Sequence, residues 1–182
     1  MKPFLITLLI STALLSGCAV NNTHRALSGK YGEVSVIVFS STDCPIANAL
    51  APEIERIHRD IQHKGGELIL VHVWKGRKYN DASEHAKEYG LSMQVLIDSD
   101  HELVKQFNAT VTPEAVVIRY DRKGIPIVVY QGLINNIFDS PGNRRDKATQ
   151  HYVRDAIDAA YANAAVNPTY RKPTGCVIEQ MQ

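Results

Sequence analysis

Apolar residues fall along this chain in short blocks with two different rhythms. Residues 34–39 (Val-Ser-Val-Ile-Val-Phe) and 67–74 (Glu-Leu-Ile-Leu-Val-His-Val-Trp) are branched and aromatic runs that predict strands covered on both faces. Between them Ile46, Leu50, Ile54, Ile57 and Ile61 recur at spacings of four, four, three and four, which is one face of a helix over 45–63. A helix over 81–89 is ended by Gly90, and a short strand covers 94–98. Asp100 then opens a short helix through Phe107 as its N-cap. Two strands, 115–120 and 126–131, are joined by the hairpin turn Asp121-Arg122-Lys123-Gly124. Residues 139–145 read as a polar loop, 148–165 as a long helix, and 167–182 as a proline-containing tail without periodicity.

This alternation of strands and helices argues for an α/β sandwich, a central mixed sheet with helices on both faces, parallel except for an antiparallel hairpin. Reactive groups in such a sheet belong at the carboxyl ends of the parallel strands, where loops lead into helices. Ser40-Ser41-Thr42-Asp43-Cys44 is the loop after the first strand.

The start of the chain follows another logic. A positive Met1-Lys2, an apolar run from Phe4 to Leu15 and the small residues before Cys18 predict an export signal over 1–17, too short to span a bilayer. Leu15-Ser16-Gly17-Cys18 resembles the lipobox of bacterial lipoproteins, which implies cleavage before Cys18 and acylation of that cysteine. The expected location is the bacterial cell envelope, lipid-anchored and facing the periplasm. Ala19 in place of an aspartate resembles the signal for outer-membrane sorting. Residues 18–31 then form a tether, 32–166 the folded domain and 167–182 the tail.

Twenty Lys plus Arg against nineteen Asp plus Glu leave a net charge of +1 over 182 residues, with no basic block. Nucleic acid has no electrostatic footprint here, and membrane attachment must come from lipid on Cys18. The other two of the three cysteines, Cys44 and Cys176, carry the candidate chemistry.

Pro45 directly follows Cys44, and proline is favoured at the first helical position, so Cys44 sits at the helix N-cap. A thiolate there faces unpaired backbone N–H groups and the positive end of the helix dipole, which lowers its pKa; Asp43 opposes this. Pro52 falls inside the same helix, where it removes a hydrogen bond and should kink the axis. Strand, Cys-Pro at a helix start, Pro52 and a later Val111-Thr112-Pro113 together resemble the thioredoxin fold, in its redoxin branch of AhpC/TSA-type and TlpA-like proteins. The resemblance covers roughly residues 31–165. It implies a three-layer sandwich and a cis-proline at Pro113 facing the reactive cysteine.

The pattern departs from that family in several places. Ala47 stands where thioredoxins carry their second cysteine, and Asn48 excludes the spacing of copper-handling relatives. Ser41 fills the hydroxyl position of peroxiredoxins, but Ile37 replaces their proline and Glu114 follows Pro113 where no arginine is offered. Efficient peroxidase chemistry is therefore not expected, although weak activity stays open.

Three readings of Cys176 remain: a resolving thiol for Cys44, a static disulfide with it, or an unpaired tail thiol. His72 and Trp74, at the carboxyl end of the second strand, are candidates to line the cleft with Asp43, Pro45 and Thr112. His58, His63, His85, His101 and His151 show no ligand spacing and read as solvated. The expected function is thiol–disulfide exchange at Cys44, without a cofactor, on a protein thiol or disulfide partner or a small thiol. The alternatives are a binding module with a structural Cys44–Cys176 bridge and, lower, a copper-handling protein using both cysteines and His72.

Overall fold

Strand β1 (Val34–Ser40) is buried at every position, and its side chains alternate between two apolar layers. Val34, Val36 and Val38 enter one cluster, Ile37 and Phe39 the other. A strand apolar on both faces belongs at the centre of a covered sheet. β2 (Glu67–His72) lies parallel to it on one side, followed by β3 (Gln94–Ile97), also parallel. On the other side β5 (Glu114–Tyr120) runs antiparallel to β1 and forms a hairpin with β6 (Pro126–Gly132). β9 (Tyr170–Arg171) closes that edge, completing a six-stranded order β3-β2-β1-β5-β6-β9. The computed structural model describes residues 27–73, 79–140 and 142–179. The expected export signal, Cys18 and Trp74 lie outside the described residues.

Helices cover both faces. α1 (Pro45–His63) and α4 (Tyr152–Tyr161) bury Leu50, Ile54, Ile57 and Ile61, and Val153, Ala156, Ile157 and Ala160, against the first cluster. Ala86 of α2 (Tyr79–Glu88) joins them. α3 (Glu102–Phe107) contributes Leu103, Val104 and Phe107 to the opposite cluster. Among the described residues no helix is long and apolar enough to cross a membrane.

Several local expectations are corrected. The amide of Val104 in α3 is taken by Asp98 Oδ2 at 2.9 Å, not by Asp100, and the N-cap residue is His101 in a left-handed conformation. α4 is shorter than the 148–165 pattern because Asn136 Oδ1 accepts the amides of Thr149 and Gln150 at 2.8 and 3.0 Å, which holds them in a turn. His58, His85 and His101 are buried rather than solvated, His101 Nε2 donating to the Val73 carbonyl at 2.7 Å. Leu27, read as tether, is packed into the second cluster.

The tail also differs from the featureless segment expected. After a cis Asn167–Pro168 bond, β9 joins the sheet, with Gln131 N donating to Thr169 O at 2.8 Å and Leu133 N to Arg171 O at 3.2 Å. Gly132, at φ +129°, permits this contact, because a Cβ there would lie 1.8 Å from Arg171 O. Farther on, β10 (Cys176–Val177) pairs antiparallel with β4 (Val111–Thr112), away from the main sheet. A third small pairing joins β7 (Phe138–Ser140) to β8 (Asn143–Arg144).

An ion pair on the buried Glu53 carboxylate ties α4 to α1. Glu53 Oε1 receives Arg154 Nε at 2.8 Å, its Oε2 receives Arg56, and Arg154 also reaches Asp60. Burial alone would push the Glu53 carboxyl up, but Arg154 and Arg56 pull it below its ordinary value. Its contribution is therefore present above the ordinary carboxylate range and lost as acid protonates it. Glu53→Gln should lower the urea-unfolding free energy by about 1–2 kcal/mol at neutral pH, with variant and wild type converging in acid. An unchanged midpoint would mean the pair does not hold the helices together.

Candidate active site

The end of β1 and a tight turn deliver Cys44. Its amide donates to Ser41 O at 3.2 Å, and Ser41 Oγ accepts the Asp43 amide at 3.4 Å. Asn48 Nδ2 reaches back to Thr42 O at 3.1 Å, so the first turn of α1 fastens the loop that precedes it. Ser41, fully covered, thus builds the turn. Cys44 is the N-cap, with extended φ and ψ, Pro45 next in the helix, and Sγ accepting the Ala47 amide at 3.4 Å.

The start of β5 supplies the opposite wall. Thr112–Pro113 is cis, and the Glu114 carboxylate secures the bend by accepting the Thr110 amide at 2.8 Å and Gln131 Nε2 at 2.6 Å. Cys44 Sγ donates to Thr112 O at 2.9 Å across this junction. β10 pairs Cys176 with Thr112, the residue whose carbonyl accepts the Cys44 thiol, so the two cysteines, both free thiols, are brought to the same residue.

Their proton affinities are driven apart. Burial pushes the Cys44 thiol up, yet hydrogen bonds from the Cys176 thiol, the Thr112 hydroxyl and the backbone N–H groups of Ala47 and Cys176 outweigh it, leaving the pKa below its ordinary value. The Thr112 carbonyl works the other way, since it accepts the proton of the neutral thiol. Cys176 is pushed up to about 11, by burial first and then by its bond to the Cys44 sulfur and the charge there. The first proton lost by the pair therefore comes from Cys44. An ionised Cys44 beside a protonated Cys176 is competent for attack on a sulfur atom and for later closure to a disulfide.

His72 ends β2, in register with Ser40. No hydrogen bond joins it to Cys44. Its ring instead meets His85 edge-on at 5.5 Å between centroids, and its buried Nε2 has no partner. His85 is held by Asn48 Oδ1, 2.8 Å from Nε2, and stacks on Tyr89. Burial, followed by the charge on His85, lowers the His72 pKa to about 4. Among the described residues no group of three or more His, Cys, Asp or Glu side chains is gathered to hold a metal.

Sequence patterns missed three contributors: the His85–Asn48 contact, Gly175 and Ile178. A Cβ on Gly175 would lie 2.1 Å from Thr112 O, so glycine is what lets the tail press against the cis-proline junction. Ile178 is buried in the second cluster. The Thr-Gly-Cys-Val-Ile run, with alternating apolar positions after a glycine, was the available signal.

The sequence profile of the AhpC/TSA family matches residues 17–126. The chain belongs to that family. Its fold resembles an uncharacterized conserved protein of Geobacillus kaustophilus, at 26% identity over 87% of this chain and 81% of that one, with a TM-score of 0.68. It also resembles a protein assigned as thiol:disulfide interchange protein DsbE in Chlorobium tepidum, at 18% identity over 71% and 81%, TM-score 0.54. A protein assigned as a thioredoxin in Neisseria meningitidis aligns at 22% identity over 73% and 77%, TM-score 0.53. The fold of this AhpC/TSA member is thus thioredoxin-like. Comparison with curated proteins found no match.

His72 generates a pH signature. Its folded pKa lies below the ordinary 6.5, so the unfolded chain binds the extra proton between 6.5 and about 4. Stability should rise with pH across that window and be fully present above it, a change on the order of 3 kcal/mol. His72→Leu should flatten this part of the stability profile in urea titrations at successive pH values. An equally steep profile in the variant would assign the slope to other groups.

Proposed function

We propose that this protein is a thiol–disulfide oxidoreductase in which Cys44 is the nucleophile and Cys176 the resolving thiol. The observation that carries the reading is the contact between the two thiols across Thr112, with their proton affinities displaced in opposite directions. In the reductive direction the Cys44 thiolate attacks one sulfur of a partner disulfide. A Cys44–partner bond forms, the partner's S–S bond breaks, and the departing thiolate takes a proton from water. Cys176 then gives up its proton and attacks the Cys44 sulfur, forming Cys44–Cys176 and releasing the second partner thiolate. The partner gains two electrons and the protein loses two; an external dithiol restores the starting state. The same steps run in reverse when the partner is a dithiol.

The timing follows from electrostatics. Burial is the largest influence on Cys176 in the observed packing, and the next two, the hydrogen bond and charge of a Cys44 thiolate, disappear once Cys44 is in a mixed disulfide. Cys176 is then easier to ionise at the moment it is needed. Peroxide turnover is slow in this reading, because Ser41 is engaged in the turn and Glu114 stands beside Pro113. The Leu15–Cys18 pattern supports lipid anchoring at Cys18 in the cell envelope, facing an oxidising periplasm.

Reduced wild-type protein should be alkylated at Cys44 faster than at Cys176, with a midpoint below the usual thiol value of about 8.5. The Cys44–Cys176 couple should equilibrate with a glutathione or dithiol buffer. Cys176→Ser should accumulate mixed disulfides through Cys44 that vanish in the double variant with Cys44→Ser. Thiols of ordinary pKa, no trapped partner and a bridge that resists reductant would replace this reading with the binding module. Retention of Cu(I) abolished by either Cys→Ser change would replace it with copper handling.

A further inference from the structure

Cys44 is 1% exposed, so a foreign disulfide has no path to its sulfur while the observed packing holds. The end of the tail lies against the strand whose Thr112 carbonyl accepts the Cys44 thiol. Cys176 stands opposite Thr112, Ile178 N donates to Thr110 O at 3.0 Å, and the Ile178 side chain is 4% exposed in the second apolar cluster. Val177, between them, points outward at 77% exposure, as a period of two requires. This hold is local. β10 is two residues long and pairs only with β4 among the described residues, whereas β9 is anchored separately on β6. Residues 172–175, including Pro173 and Gly175, separate the two attachments, so the end of the tail can detach without disturbing the sheet edge.

We propose that residues 174–178 occupy the seat of the external partner: the partner is an extended segment that adds antiparallel to β4 in their place. It carries glycine immediately before its cysteine and a branched apolar residue two positions after it. This rests on the oxidoreductase reading above. The glycine is required because any Cβ at that position meets the Thr112 carbonyl at 2.1 Å. The apolar residue is required because the position that Ile178 vacates lies within the second apolar cluster. The position between them faces solvent and is free to vary. Backbone pairing holds the partner, and the two pockets select it.

Occupancy of one seat by two segments couples resolution to release. The partner strand gives up its pairing with β4 as β10 returns, and the Cys176 thiolate then reaches the Cys44 sulfur on the side opposite the partner sulfur, in line with the bond that breaks. The Cys44–partner bond breaks as Cys44–Cys176 forms, and the partner leaves as a thiolate.

The test uses reduced full-length protein and a synthetic peptide Thr-Gly-Cys-Val-Ile-Glu whose cysteine is activated as a mixed disulfide with a chromogenic thiol. Release of that thiol reports capture by Cys44. Peptides with alanine for the glycine, or aspartate for the isoleucine, should react at least about tenfold more slowly, while lysine for the valine should change little. In the chain itself, Ile178→Ala should raise several-fold the rate at which a small neutral reagent alkylates Cys44, and Val177→Lys should not. Equal rates for all four peptides, or Cys44 alkylation indifferent to Ile178→Ala, would overturn the proposal. The peptide series on wild-type protein keeps it testable if Ile178→Ala folds poorly. Capture of small unstructured disulfides by Cys44 without peptide discrimination would remove the seat and leave the oxidoreductase. Failure of Cys44 to react with any disulfide would remove the oxidoreductase as well.

Discussion

The Thr112 peptide unit is the point on which the site depends. Its carbonyl takes the proton of the Cys44 thiol, its side-chain hydroxyl faces the same sulfur, and its strand position is the partner of Cys176. Three parts of the chain far apart in sequence meet there only because each is fixed from behind. β1 carries Cys44 in from a strand with no exposed residue, the Glu114–Gln131 contact fixes the bend before β5, and Ile178 seats the tail.

Burial acts in the same direction on both thiols, so it cannot distinguish them. The distinction comes from the donors that converge on Cys44, the Cys176 thiol and the Thr112 hydroxyl first and then the backbone N–H groups of Ala47 and Cys176, a property of position in the fold rather than of cysteine itself. Asn48 serves two neighbourhoods at once, fastening the cysteine loop through Thr42 and orienting His85 beside His72. The histidine pair and the thiol pair thus share one support on the first turns of α1, although no hydrogen bond connects them.

Periodicity made most of the scaffold legible. β1, β2 and α1 satisfy patterns that extend over many residues, and Cys44 before Pro45 marks a helix start by local stereochemistry. Pro113 was legible through its resemblance to a family pattern. The tail was not, because a strand of two residues has no period and its seat is defined by Thr112, which lies elsewhere in the sequence. The same reason explains the shortened α4, whose first amides are claimed by Asn136. His58 differs for another reason: it falls four residues after Ile54 and three before Ile61, on the buried face of α1, and this position rather than its residue type sets its burial.

The separate anchoring of β9 and β10 makes the tail a measured length of chain. Residues 172–175 must cover the distance from the sheet edge to β4 and also present the next residue with the correct facing. Because successive strand residues point to opposite sides, adding or removing one residue here would exchange the facings of Cys176 and Val177. The sulfur would then turn away from Cys44, and Ile178 would leave its buried position in the second cluster. Chain length between two anchors, a quantity invisible in any single side chain, therefore decides whether the cysteine of the tail stands opposite Thr112.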